Sequence, residues 1–229
     1  MQVEERTIFE LEYPGEYLSR LGTTETKTCK IRLSRKGQGL LARMYASRGY
    51  KMQATLTHDF DLSSLVVQID GQPAGTISVR LDDGNLAAAE QFPEFIGELR
   101  ARGARICEIG KLAMDPGVRS KQVLGAIFHI AFIVAFRARR ATDIVIEVNP
   151  RHAPFYMRML RFDPVGSARL CQRVGAPAVL LHMDGNKGRR LIDQFGGRPG
   201  LSAQERSFYP YFFHPDDEEG LLRRLSAGS

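Results

Sequence analysis

The run Val123-Leu-Gly-Ala-Ile-Phe-His-Ile-Ala-Phe-Ile-Val-Ala-Phe136 is apolar on nearly every side at helical spacing, so a helix there must be buried within a domain core. Its neighbours show what buries it. Upstream, Ile106-Cys-Glu-Ile-Gly-Lys-Leu-Ala-Met114 alternates like a strand and stops at the breaker Asp115-Pro116-Gly117. Downstream, Ile144-Val-Ile-Glu-Val148 is β-branched, short enough for a buried strand, and halted by Pro150.

Between the first strand and the helix lie Arg119, Ser120, Lys121 and Gln122. A buried helix offers its first free N–H groups and its positive dipole end to an anion, and two mobile cations at the same place suit a phosphate. After the second strand, Asn149-Pro-Arg-His-Ala-Pro-Phe-Tyr-Met-Arg-Met-Leu-Arg-Phe162 begins a second helix near Arg151. Phe155, Met159 and Phe162 fall at helical spacing on its expected core side, which leaves the Tyr156 hydroxyl on the neighbouring face. A tyrosine in that position is also compatible with simple ring packing and a backbone hydrogen bond.

Strand, basic loop, helix, then a strand ending in Asn149 and a tyrosine-bearing helix together resemble the core of the GNAT acyltransferase superfamily. That resemblance implies an α/β (α+β) fold with a GNAT-like central sheet, mixed but mostly antiparallel, flanked by helices. It further implies a donor-binding role for Leu112, Met114, Arg119, Ser120, Lys121, Gln122, Gly125 and Asn149. In such enzymes the loop grips the pantetheine phosphate of an acyl thioester, the preceding strand offers N–H groups to the thioester, and Tyr156 would protonate the departing thiolate. In Gln122-Val-Leu-Gly125-Ala-Ile127 the last small residue of the usual loop is replaced by Ile127. A donor carried on a protein, with one phosphodiester and no adenosine diphosphate, asks less of such a loop than coenzyme A does.

A narrower resemblance covers about Ile31 to Asp184. Glu108-Ile-Gly-Lys-Leu112, Val118 to Gly125, Asn149 to Phe162, Asp163-Pro-Val-Gly166 and Gly175-Ala-Pro-Ala-Val-Leu-Leu181 are similar to the FeeM-type N-acyl amino acid synthases, GNAT-like relatives of the acyl-homoserine lactone synthases. The resemblance implies transfer of a long acyl group from acyl carrier protein to the amine of an amino acid, possible acceptors including tyrosine, with acyl coenzyme A as the other conceivable donor. No permanently bound cofactor and no metal are implied. Glu108, on the strand four positions before Leu112, is the candidate base for the acceptor amine. In the order of the lactone synthases, Asp59-Phe60-Asp61, Arg80 and Glu108 with Lys111 make Asp61, Arg80 and Lys111 acceptor-binding candidates. Asp59 and Asp61 are equally compatible with a solvated turn, and Arg80 with an ordinary ion pair to Asp82 or Asp83 worth under about 1 kcal/mol.

The stripe Ala89, Phe92, Ile96 and Leu99 in a helical excursion over 86–102 reads first as ordinary core against a sheet. In a long-chain acyltransferase, Phe92 and Ile96 with Phe128 and Phe132 are the candidates to wall an acyl tunnel. A strand is expected at 31–33, a helix over 37–47, strands at 65–70 and 74–81 turning at Asp70-Gly71, and strands at 169–174 and 178–184. The organisation expected is thus a polar N-terminal segment (1–30), a GNAT-like core (31–184) and an aromatic-rich C-terminal extension (185–229). That extension contains Phe208-Tyr-Pro-Tyr-Phe-Phe213 and a short helix over 216–225, and is either a lid or a clamp on the core.

At 229 residues and 43% hydrophobic content the chain suits one domain. Cys29, Cys107 and Cys171 are odd in number and scattered, His129 and His152 have no metal-ligand spacing, and a Gly-x-Ser-x-Gly elbow is missing. A charged N-terminus and the shortness of every apolar run lead to the expectation of a cytoplasmic protein without a transmembrane segment. The net charge of +6, with arginines clustered at 137–140, 151–161 and 187–190, suits an acidic carrier partner, whereas the motifs of nucleic-acid binders are lacking. The alternatives are an acetyl-coenzyme-A-dependent GNAT N-acetyltransferase and a GNAT-like module that binds without turnover. A lactone synthase is disfavoured because the chain has no Trp.

Overall fold

The computed structural model describes residues 6–14, 26–33 and 64–226, and organises them around one eight-stranded sheet. The strands are β1 (Arg6–Pro14), β2 (Thr26–Leu33), β3 (Ser64–Ile69), β4 (Gln72–Leu81), β5 (Ile106–Met114), β6 (Asp143–Val148), β7 (Asp163–Cys171) and β8 (Ala176–Asp184). They lie in the order β1-β2-β3-β4-β5-β6-β8-β7, antiparallel throughout except for the parallel pair β5–β6. This is the expected GNAT-like α/β architecture. Asp70 and Gly71, both at positive φ (49° and 78°), make the tight β3–β4 turn.

Two strands depart from expectation. The N-terminal stretch expected to be merely polar holds β1 and most of β2, which pair from Arg6↔Leu33 to Pro14↔Thr26. Strand β7 begins at Asp163 rather than near Arg169. Pro164 and Gly166 (φ 63°) disguise it, and both are tolerated because β7 is an edge strand with a register shift between Val165 and Arg169. The helix expected over 37–47 and the candidates Asp59 and Asp61 lie outside the described residues.

Helices pack on both faces. α1 (Ala87–Gln91) and α2 (Pro93–Ala101) are two pieces rather than one, because Phe92 precedes a proline and takes an extended φ of −131°. They bury Leu86, Ala88, Phe92, Ile96 and Leu99 against Ile106, Val145 and Leu180. The opposite face receives α3 (Lys121–Phe132), which runs on as a π-helical stretch to Ala138; almost every residue from Val123 to Ala135 is buried. Lys121–Ala138 is long and apolar enough to cross a membrane by length and composition, but 67% of it is buried inside the domain. α4 (Ala153–Leu160) follows a 3-10 turn at 150–152 and turns Ala153, Tyr156 and Leu160 inward. Phe155, expected on the core side, is 40% exposed, because the helix proper starts two residues later than Arg151 and so presents a different face.

α5 (Gly185–Phe195), not foreseen from its Gly-rich start, is capped by Asp184, which accepts from the Lys187 N–H at 2.9 Å. The chain then crosses back over α3 and ends in α6 (Glu218–Ser226). Aromatic stacking secures this return: His129 lies 4.6 Å from Phe212 and 5.2 Å from Phe213 by ring centroids, and Tyr209 donates its hydroxyl to the Leu160 carbonyl at 3.0 Å. The C-terminal extension is therefore a clamp on the α3 face. All three cysteines are free and buried, and burial pushes the Cys29 thiol up to about 12.

The clamp is locked by a buried polar cluster. His129, fully buried, accepts the Phe213 N–H on Nδ1 (2.9 Å), so Nε2 carries the proton and donates to Glu218 (3.0 Å). Burial holds His129 below its usual range and thus neutral at pH 7. Burial alone would raise the Glu218 carboxyl, but hydrogen bonds from His129 and Arg189 pull it down to about 2. Arg137 adds a contact at 2.7 Å. Glu218→Gln should lower stability by about 3 kcal/mol, at the low end for breaking a buried ion pair because both arginines can turn toward water. Urea denaturation measures this, and a loss below about 1 kcal/mol would show that the cluster does not hold the extension.

Candidate active site

Glu108 marks the place where the sheet opens. Parallel pairing of β5 with β6 covers Ile106↔Asp143, Cys107↔Ile144 and Glu108↔Val145 and then stops, while β6 continues to pair with β8 as far as Val148↔Val179. Beyond Glu108 the two strands diverge. On its other side β5 stays with β4 but carries a bulge: Ser78 faces Gly110 and Thr76 faces Ala113, with Lys111 at φ 50° taking up the extra residue. The even alternation expected from Glu108 to Leu112 is therefore broken at Lys111, although both residues border the same opening. Among the described residues, the edge of β5 past Glu108 that faces β6 is bordered by no strand.

A cavity of about 440 Å³ fills the gap, within the ~300–1,000 Å³ common for small-molecule sites. It passes through the sheet, and its two sides differ in chemistry. Strand alternation puts Arg80, Glu108 and Glu147 on the face of Val145 and Leu180, where Cys171, Arg173, Ala176 and Ala178 join them. On the α3 face the lining is apolar: Ile109, Phe128, Phe132, Ile146, Leu160 and Phe162. Leu112, Met114, Asn149, His152, Phe155 and Tyr156 border the remainder.

Glu108 accepts the Ala87 N–H at 2.8 Å, so its carboxylate serves as the cap that Leu86 does not supply to α1. Burial raises this carboxyl from 4.5 to about 7, Glu147 adding to the rise and Arg173 opposing it. A carboxylate poised near neutrality in a cavity can accept a proton from an amine. Tyr156 is half-buried, its ring edge-on to Phe128 (centroids 6.4 Å) and Phe155 (5.2 Å).

The site thus brings together Glu108, Tyr156, Leu112, Met114, Asn149, Arg80, Lys111, Phe128 and Phe132. Asn149 spends its side-chain oxygen capping the Arg151 N–H at 3.1 Å. Arg80 reaches Asp83 at 3.3 Å, whereas Asp82 binds Arg100 at 2.7 Å. Phe92 and Ile96 are not part of this cavity. They belong to the core under α1 and α2 on the other face from Phe128 and Phe132, and only the latter two line the cavity.

Arg119, Ser120, Lys121 and Gln122 start α3 outside this cavity, and the Ser120 hydroxyl caps that helix by accepting from Val123 N–H at 3.4 Å. Gly125 faces the C-terminal clamp: a Cβ there would lie 2.8 Å from the Tyr211 carbonyl oxygen. Arg173, Glu147 and Cys171 join the cavity without having stood out in the sequence, since no spacing links them to Glu108.

A family model described as N-acyl amino acid synthase FeeM matches residues 36–184. The chain belongs to this family. It is an N-acyltransferase with a GNAT-like fold. Among solved structures, FeeM, an N-acyl amino acid synthase from uncultured soil microbes, superposes with a TM-score of 0.62 at 20% identity, over 72% of this chain and 93% of that one. A putative arylalkylamine N-acetyltransferase from the yellow fever mosquito gives 0.50 at 12% identity, over 79% and 95%. An uncharacterised Bacillus halodurans protein gives 0.50 at 13% identity, over 80% and 94%. At such identities these likenesses concern the fold. Comparison with curated proteins gives no match.

Because the Glu108 carboxyl is raised from 4.5 to about 7, the folded protein keeps a proton that the unfolded chain loses in that window, and stability falls as pH rises through it. The loss should be roughly 3 kcal/mol between pH 4.5 and 8. In Glu108→Gln, which can still accept the Ala87 N–H, this loss should vanish, so the variant matches wild type at pH 4.5 and exceeds it at pH 8. Chemical denaturation at the two pH values decides. Parallel pH dependence in both proteins would show that Glu108 is ionised in the usual range.

Proposed function

We propose that this N-acyltransferase joins a long-chain acyl group, delivered as a thioester on acyl carrier protein, to the amine of an amino acid. The observation that carries this reading is the cavity through the sheet, with a carboxylate poised near neutrality on one side and an aromatic-lined chamber on the other. The thioester would enter at the open end of the β5–β6 split, its carbonyl accepting from β5 N–H groups near Leu112 to Met114. The acyl chain would run along Phe128, Phe132 and Ile146, and the acceptor would occupy the side of Glu108, with its carboxylate near Arg80 or Lys111.

The acceptor enters as the neutral amine, its ammonium proton lost to solvent, and Glu108 takes the proton that its nitrogen sheds as the new C–N bond forms. The nitrogen lone pair attacks the thioester carbon, and a tetrahedral intermediate forms under the β5 N–H groups. As it collapses, the C–S bond breaks and Tyr156 gives its proton to the thiolate, to be reprotonated from solvent or through Glu108.

A carrier-borne donor is favoured over coenzyme A because Gly125, near the start of α3, is covered by Tyr211, and Lys121 Nζ stands 5.7 Å over the Tyr211 ring. A single phosphodiester near Arg119 needs less open backbone there than a diphosphate does. The net charge of +6 would favour encounter with an acidic carrier. Buried free cysteines fit a reducing cytoplasm.

Competition between mixed acyl donors, read by product mass, tests this reading. Wild type should favour chains of about twelve carbons, since each buried methylene contributes roughly 0.8 kcal/mol. Ile146→Phe, which overfills the apolar chamber, should shorten the preferred chain while sparing short donors. Equal use of acetyl and long-chain donors by wild type would support an acetyltransferase instead. Tyr156→Phe should lower kcat by about 10²- to 10⁴-fold with little change in donor KM, and an unchanged kcat would remove Tyr156 from the chemistry.

A further inference from the structure

The side of the cavity that holds Glu108 contains a second carboxylate, Glu147, two positions beyond Val145, the β6 partner of Glu108. Two carboxylates sharing a secluded chamber oppose each other's ionisation, and one of them tends to keep a proton. Here a cation stands among them. Arg173, in the turn at 172–175 between β7 and β8, directs Nη2 to Glu147 at 2.6 Å and brings Nε within 3.1 Å of Glu90 on α1. Glu147 is only 10% exposed and Arg173 26%, so this charge is poorly screened by water, whereas Glu90 is 59% exposed.

We propose that Arg173, strapped by Glu147 and Glu90, is a positioning residue for the reaction: it neutralises Glu147 and holds a positive charge beside Glu108, which keeps the Glu108 carboxylate able to act as base. This rests on the assignment of Glu108 as base made above.

Among the described residues, the other charged and titratable groups around the chamber are placed differently from Arg173. Arg80, the β4 cross-strand partner of Glu108, leans to the exposed Asp83 at 3.3 Å. Lys111 sits on the bulge beyond Gly110. Cys171, on β7, is neutral, because burial and its hydrogen bond to Glu147 both raise its thiol. Arg173 itself opposes the burial-driven rise of Glu108, and Glu147 reinforces that rise. Removing one or the other should therefore move Glu108 in opposite directions, which loss of packing alone would not do.

The test follows Glu108 directly, by ¹³C-carboxyl NMR of the full chain labelled at glutamate, with the resonance assigned by its disappearance in Glu108→Gln. Beside it, the pH profile of kcat/KM is recorded with dodecanoyl acyl carrier protein as donor and tyrosine as acceptor. In Arg173→Gln the Glu108 midpoint and the acidic limb of the profile should both rise by about one pH unit. Arg173→Lys, which keeps the charge, should stay near wild type, and Glu147→Gln should move both down. An unmoved midpoint in Arg173→Gln, or shifts in the same direction for Arg173→Gln and Glu147→Gln, would overturn the proposal. If Arg173→Gln folds poorly, the contrast between Arg173→Lys and Glu147→Gln still decides: a downward shift confined to Glu147→Gln supports it, and none refutes it. Should Glu108→Gln keep the wild-type pH profile, the assignment of Glu108 as base fails, while the NMR midpoints still report whether Arg173 governs its charge.

Discussion

Everything about the site depends on the divided loyalty of two neighbouring strands. β6 gives its full length to β8, β5 stays with β4 through a bulge, and only three residue pairs remain between β5 and β6. Among the described residues the edge of β5 past Glu108 is thereby bordered by the cavity instead of by a strand. The bulge at Lys111 assists because it lets β5 bend away without losing β4. In the proposed reaction the substrate carbonyl would lie along that edge.

The opening also explains why one carboxyl is so far from its usual range. Glu108 is the last β5 residue paired to β6, so its side chain is sealed by α1 behind and meets the cavity in front. The raised carboxyl costs stability at neutral pH and, in the proposed reaction, gives a base whose proton affinity suits an amine. The same carboxylate caps α1, which ties the helix that covers one face to the lining of the cavity. On the opposite face, the buried cluster of His129, Glu218, Arg137 and Arg189 fastens the C-terminal clamp over α3.

Much of this was legible in the sequence. β5, α3 and β6 stand out because long periodic runs bounded by Pro and Gly carry a strong local signal, and the resemblance of the segments around Glu108 and Tyr156 led to the family. What failed was relational. The spacing of Phe92 and Ile96 shows that they share a helical face, but not which side of the sheet that face meets, and the fold puts them in the opposite core from Phe128 and Phe132. Phe155 and Tyr156 exchange sides because a 3-10 turn delays the helix start, a detail worth about 100° of rotation per residue. Glu147 on β6 and Arg173 in the turn between β7 and β8 meet because β8 lies between β6 and β7, an order that no local pattern encodes. The start of β7 is hidden in the sequence because Pro164 and Gly166, which elsewhere end a strand, are tolerated at the sheet edge.

The central claim is that the cavity is divided by the sheet, acyl chain on the α3 side and amino acid on the Glu108 side. The most direct measurement is a crystal structure with an N-dodecanoyl amino acid bound. The account predicts the amide between β5 and β6 near Leu112, the alkyl chain along Phe128, Phe132 and Ile146, and the amino-acid carboxylate on the side of Arg80 and Arg173. An alkyl chain lying against Glu108 and Arg173, or bound beneath α1 and α2 beside Phe92 and Ile96, would contradict it.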